Sequence, residues 1–241
     1  MAYTTIDDPA QYFNTVLYTG TGSSNAITGV GFQPDWVWIK SRSLAQDHKL
    51  HDSVRGTNGG YYESLRANSA AASDVVADGA ADNTGMSAIG SDGFTVGADA
   101  SVNGSGNTMN AYCWKAAGSQ GSSNTDGTIN TTYTSVNATA GFSISQYTGT
   151  GSNATFGHGL GKKPEWVFIK NLSTNTDWRV YFDREGSSKS HALNTSGSSG
   201  SGSDYWNSTA TTSSLVSIGT NTGLNASGST YIAWCFAPIV G

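Results

Sequence analysis

Apolar and polar residues alternate in short runs along most of this chain, which is the pattern of half-buried strands. Phe13 to Tyr18, Ala26 to Val30, His48 to Val54, Tyr61 to Leu65, Phe94 to Gly97 and Ala111 to Ala116 read this way, as do Phe142 to Tyr147, Trp178 to Asp183 and Ser229 to Val240. Turns rich in Gly, Ser and Asn separate them, and little of the chain has helical periodicity. In Trp178 to Asp183, Trp178, Val180 and Phe182 fall on one face and Arg179 and Tyr181 on the other. Two runs break the alternation: Asp35-Trp36-Val37-Trp38-Ile39-Lys40 and Glu165-Trp166-Val167-Phe168-Ile169-Lys170 are apolar on both faces. A strand of that kind is stable only when both sides are covered, so each is predicted to be central in its sheet.

These two runs belong to a longer echo. Tyr18-Thr19-Gly20-Thr21-Gly22-Ser23 returns as Tyr147-Thr148-Gly149-Thr150-Gly151-Ser152, and Pro34 returns as Pro164. Asp47-His48-Lys49-Leu50-His51 aligns with Asp177-Trp178-Arg179-Val180-Tyr181, and Ser87-Ala88-Ile89-Gly90 with Val216-Ser217-Ile218-Gly219. Ala111-Tyr112-Cys113-Trp114 aligns with Ala233-Trp234-Cys235-Phe236. The copies are about 105 to 115 residues long, the size of one sandwich domain. The expectation is an all-β chain of two tandem, jelly-roll-like antiparallel β-sandwiches related by internal duplication. They occupy residues 1–117 and 133–241, and the Gly-, Ser- and Asn-rich residues 118–132 form a linker. Trp36, Trp38, Trp114, Trp166, Phe168 and Trp234 are expected in the structural core.

Composition narrows the partners. Charged residues are 12% of the 241, with a net charge of -5 and no acidic or basic tract. A nucleic-acid partner would call for clustered Lys and Arg, and none is expected. The N-terminal residues lack the basic and apolar regions of a secretory signal, and no run approaches a membrane span, so the chain is expected to be soluble as made, without membrane insertion. Cys113 and Cys235 hold matching places beside aromatic residues and are read as buried free thiols.

Candidate chemistry is thin. His48 and His51 face opposite sides of a strand, and His158 and His191 stand alone, so no zinc site is expected. Asp78-Gly79-Ala80-Ala81-Asp82-Asn83 offers oxygen ligands without EF-hand spacing. Glu63, Glu165 and Glu185 are the three glutamates of the chain, and no nucleophile elbow or phosphate loop is present. Neither enzyme activity, a cofactor nor a metal is expected. Asp47, Asp52, Asp177 and Asp183 are read as holding Arg55 and Arg184 or capping turns. For binding, Tyr61, Tyr62, Tyr205 and Trp206 lie in or near loops and are the candidates, because ring faces stack on sugars or make protein contacts.

The motifs Tyr18-Thr19-Gly20-Thr21-Gly22, Gly29-Val30-Gly31-Phe32-Gln33-Pro34-Asp35-Trp36-Val37-Trp38-Ile39-Lys40 and Asp52-Ser53-Val54-Arg55-Gly56 resemble a domain of unknown function in virion structural and tail-fibre-like proteins of marine tailed bacteriophages. Gly157-His158-Gly159-Leu160-Gly161, Pro164-Glu165-Trp166 and Tyr231-Ile232-Ala233-Trp234-Cys235-Phe236-Ala237 extend the resemblance over nearly the whole chain. It implies a non-enzymatic component of the virion surface, a capsid decoration or tail part made in the host cytoplasm, with a part in host attachment. Its partners would be other virion proteins and further copies of itself, with a trimer favoured, and host-surface glycans in a receptor-binding lectin. A cellular surface-filament subunit fits the same composition.

Overall fold

The computed structural model describes residues 6–72 and 84–239. The Ala-, Ser- and Asp-rich stretch with Asp78 and Asp82 lies outside them. The chain divides into two compact units, one of Asp8–Asn68 and Ser73–Ser119, the other of Gln120–Gly241 with Met1–Asp7 and Ser69–Ala72.

The first unit runs β1 (Phe13–Thr19), β2 (Asn25–Ile27), β3 (Trp36–Ser41), β4 (Lys49–Asp52), β5 (Thr57–Asn58), β6 (Tyr61–Tyr62), β7 (Ser64–Arg66), β8 (Met86–Gly90), β9 (Gly93–Val96), the helical turn α1 (Ala100–Asn103) and β10 (Thr108–Trp114). One sheet has the order β1-β10-β3-β4-β7 and the other β2-β9-β8, with β5 and β6 a separate hairpin. Gly59 and Gly60 make that hairpin's turn with φ of 60° and 86°, which a two-residue primed turn requires. The first strand pairs with the last and the second with the last but one, as in a jelly roll, while β4 and β7 widen the large sheet by antiparallel pairing. Val37 and Ile39 of β3 and Ala111 and Cys113 of β10 face Ile27, Phe94 and Val96 of the small sheet in one core.

The second unit runs β11 (Tyr133–Asn137), β12 (Phe142–Thr148), β13 (Ala154–Gly157), β14 (Trp166–Asn171), β15 (Arg179–Phe182), β16 (Lys189–Ser190), β17 (Gly200–Ser201), α2 (Ser203–Trp206), β18 (Leu215–Ile218), α3 (Thr222–Asn225) and β19 (Thr230–Phe236). Its large sheet has the order β11-β12-β19-β14-β15, and β13 pairs with β18. Val167, Ile169, Ala233 and Cys235 face Phe156, Val216 and Ile218 across its core. Pairing of Val37 with His51 and of Val167 with Tyr181 puts β3–β4 and β14–β15 in the same register. The stretch read as a linker is packed: Ile129 bridges to Phe156 and is buried in the second core, and Thr131 is buried beside Thr134.

One asparagine in each unit explains the repeated Tyr-Thr-Gly-Thr-Gly-Ser motif. Asn103 is fully buried; its Oδ1 accepts from Thr21 N–H (2.9 Å) and its Nδ2 donates to the carbonyls of Gly97 (2.6 Å) and Ser23. Asn225 does the same with Thr150 N–H (2.7 Å), Gly219 O (2.9 Å) and Ser152 O (2.6 Å). The tyrosine hydroxyls close the far side, Tyr18 on Val102 O (2.6 Å) and Tyr147 on Leu224 O (2.7 Å). The first glycine of the motif has no room for a side chain, since a Cβ would lie 2.2 Å from Gly104 O at Gly20 and 2.4 Å from Ala226 O at Gly149. These bonds correct the correspondence drawn between the two halves of the chain. Gly97 corresponds to Gly219, so Phe94-Thr95-Val96-Gly97, not Ser87-Ala88-Ile89-Gly90, matches Val216-Ser217-Ile218-Gly219.

Candidate functional site

In each unit the outward face of the large sheet is aromatic. In the first, β1, β10 and β3 bring Phe13, Trp114, Trp36 and Trp38 into a row with successive ring centroids 4.9, 4.3 and 5.8 Å apart. Tyr112 stands beside Trp114, and Phe13 and Tyr112 are exposed. A cavity of about 390 Å³ opens among Trp38, Lys40, His48, Tyr112 and Trp114. Trp38 Nε1 donates to His48 Nδ1 (2.9 Å), which requires the ring's proton on Nε2; burial and then Lys40 hold His48 below the usual imidazole pKa. Lys40 Nζ is tied to the carbonyls of Ser41 and Leu44.

In the second unit, Trp166 is 41% exposed and packs on Phe182 at 4.3 Å, with Phe168, Phe236 and Phe142 continuing the row. A cavity of about 400 Å³ is floored by Trp166, Phe168, Val180 and Phe182 and flanked by Glu185, His191, Ala192 and Leu193. His191 Nε2 and Glu185 Oε2 lie 3.0 Å apart on its rim, both part-exposed. Beside them Asp183 accepts from Tyr181 Oη (2.7 Å) and Lys163 Nζ (2.7 Å). Burial pushes the Asp183 carboxyl up, but the bonds from Lys163 and Tyr181 together bring it below the usual range. A shallow aromatic floor with a hydrogen-bonding rim can hold a flat, partly apolar ligand. Lys170, one turn of pleat from this floor, is fully buried, with Nζ on the carbonyls of Asn171 and Thr176, and burial brings its pKa down to about 8.

The six aromatic residues expected in the core divide. Trp36 and Trp234 are buried, Trp38, Trp114 and Phe168 are half-buried, and Trp166 is exposed. All six lie on the outward faces, which apolar alternation marks as hydrophobic without saying how far each is covered; Trp36 and Trp166 each have two ring neighbours, Trp114 and Trp38 for the one and Phe182 and Phe168 for the other, yet Trp36 is 1% exposed and Trp166 41%. The four loop aromatics are not assembled into a site. Tyr61 and Tyr62 form β6 in the first unit, with Tyr62 against the core. Trp206 is 1% exposed, edge-on to Tyr181 in the second core, with Nε1 donating to Lys189 O (2.8 Å), so it is a core residue and not a platform. Tyr205 is half-buried under the Arg179 guanidinium at 5.3 Å. Nothing in the strand pattern marks Glu185 and His191 as site residues; the floor is marked, by Val180 and Phe182 on one face and by the apolar run of Trp166 and Phe168.

His48 and His51 do face opposite sides: His51 points into the first core, where burial and then Arg55 lower its pKa to about 3. Asp52 holds Arg55 at 2.6 Å, and Asp47 and Asp177 accept from Asn68 and Asn194. Cys113 and Cys235 are free and buried, their thiols pushed up to about 12 by burial. Among the described residues no group of three or more His, Cys, Asp or Glu could hold a metal ion, and no helix is long and apolar enough to cross a membrane.

Comparison with curated proteins and with solved structures gives no match. A family match does span the chain: it belongs to the family described as Domain of unknown function (DUF7483), which covers residues 8–241 and so takes in both sandwiches.

Proposed function

We propose that this chain is a non-enzymatic assembly and binding component of a bacteriophage particle surface, a capsid decoration or tail part, built by duplication of one sandwich. The observation that carries the reading is the aromatic outward face of both large sheets, with Phe13, Tyr112 and Trp166 open to solvent. Exposed rings of this kind, in a chain with few charges, favour contact with another surface over chemistry on a small substrate. The resemblance to virion and tail-fibre-like proteins supplies the setting. Mass spectrometry of particles purified from a culture carrying the gene should recover the chain at high copy number. Recovery solely from the cell-soluble fraction would overturn the reading.

The cavity at Trp166 favours a second reading, a glycan-binding module. The Trp166 and Phe182 rings offer stacking faces, and Glu185 and His191 offer hydrogen bonds to hydroxyls. A glycan array probed with chain multimerised on beads, to retain avidity, should give hits that Trp166→Ala abolishes. An array without hits, or hits indifferent to Trp166→Ala, removes this reading.

A further inference from the structure

The large sheet of the second unit is closed at one side by β11, which pairs with β12 from Tyr133↔Gln146 to Asn137↔Phe142. The corresponding strand of the first unit, β1, pairs with β10 over seven residues, and among the described residues nothing pairs with its other side. Backbone bonds from Lys115 N to Tyr12 O and from Gly20 N to Asn107 O bracket the β1–β10 ladder. Even-numbered residues therefore turn their backbone groups to β10, and Phe13, Thr15, Leu17 and Thr19 turn theirs outward. Local side chains take two of these groups, Asn14 Oδ1 at Thr15 N–H and Asn25 Nδ2 at Thr19 O. Three usual protections of a free edge are missing from the strand itself: β1 reads Phe-Asn-Thr-Val-Leu-Tyr-Thr, with no charge and no proline, and its register with β10 has no bulge. Leu17 is 63% exposed and Phe13 39%.

We propose that this edge docks on the β1 edge of a second copy of the chain, antiparallel about a two-fold axis at Thr15. That register sets Thr15 against the partner's Thr15, and Phe13 against the partner's Leu17. Residues directly opposite share a sheet face, so the two exposed apolar side chains cover each other across the join. All of these are outward-turned positions, so the register needs no slip, and Thr15 N–H exchanges the exposed Asn14 Oδ1 for the partner's Thr15 carbonyl. The span Phe13 to Leu17 matches the one that β11 covers on β12, Phe142 to Gln146, which shows that the fold accepts a strand there. A neutral, self-complementary edge favours a like copy over a foreign charged strand, and an isologous contact closes at two copies. The contact holds whether or not the particle-surface reading is correct.

The test uses the full chain. Sedimentation of the wild type should show a concentration-dependent dimer, and Leu17→Lys should return the mass to that of a monomer with thermal melting of the fold unchanged. Thr15→Cys under mild oxidation should give a disulfide-linked dimer, because paired Cα atoms in such a ladder are about 5.5 Å apart. Thr19→Cys, on the same side of the strand but off the axis, should not. A wild type that stays monomeric at its highest soluble concentration overturns the proposal and leaves the edge to another strand. A dimer that survives Leu17→Lys and is not trapped by Thr15→Cys overturns it equally.

Discussion

The two sandwiches share their interior bonding and differ at their surfaces. Asn103 and Asn225 close equivalent turns with equivalent bonds, and Asp47 and Asp177 receive the same amide contact from Asn68 and Asn194. Trp36 and Trp166 occupy the same register position, yet one is buried and the other exposed. His51 and Tyr181 likewise share a position inside the core, with a different polar partner each: His51 Nδ1 meets Tyr62 O, and Tyr181 donates to Asp183. The contrast teaches that buried polar closure tolerates little change, since each orphaned group costs stability, while an outward ring can be covered or left open.

Replacing the paired tryptophans is the strongest way to break the comparison. Trp36→Ala should cost about 4 kcal/mol as a buried aromatic truncation, against about 1 kcal/mol for the part-exposed Trp166→Ala. Equal losses in denaturant titrations would mean that the two outward faces are alike after all. The clamps should behave oppositely: Asn103→Ala and Asn225→Ala each strand three backbone partners and should both cost about 3 kcal/mol. A cost confined to one unit would show that the shared geometry is not shared energetics.

Acid should separate the units gradually, one pH unit at a time. His51 is neutral when folded, with a pKa near 3 against about 6.5 unfolded, so the unfolded chain binds the extra proton. The stability this gives is present above pH 6.5 and is lost as pH falls from there toward 3. The slope should be about 1.4 kcal/mol per pH unit, and His51→Tyr, the residue of the second unit, should remove it. A wild-type stability flat across that window contradicts the buried neutral state. The smallest effect belongs to the exposed pair: Glu185→Gln should change stability by less than about 0.5 kcal/mol, while weakening any ligand held at the Trp166 cavity. A loss well above that would make the rim part of the fold.

Much of this architecture was legible because strands announce themselves by alternation. Val37 and Ile39 against Trp36 and Trp38, and Trp178, Val180 and Phe182 against Arg179 and Tyr181, were placed correctly by a period of two. What escaped is polar or isolated. Asn103 and Asn225 look like ordinary turn residues, and their role rests on contacts with residues far along the chain. A single isoleucine, Ile129, hides in a Gly- and Ser-rich stretch, and Trp206 ends a four-residue helix in another. The tetrapeptide at Ser87 resembles Val216-Ser217-Ile218-Gly219 by letters, but hydrogen bonds to Gly97 and Gly219 decide the match. Glu185 and His191 meet because Val180 bridges to His191, a pairing no local pattern encodes.

The asparagine clamps have one more consequence. Each staples the beginning of a sandwich to its end, over 82 residues in the first unit and 75 in the second, with hydrogen bonds of one side-chain amide alone. A cystine spanning such a loop would depend on the redox state of its surroundings. These staples do not, so the same closure can form under reducing conditions during synthesis and survive unchanged in an oxidising environment.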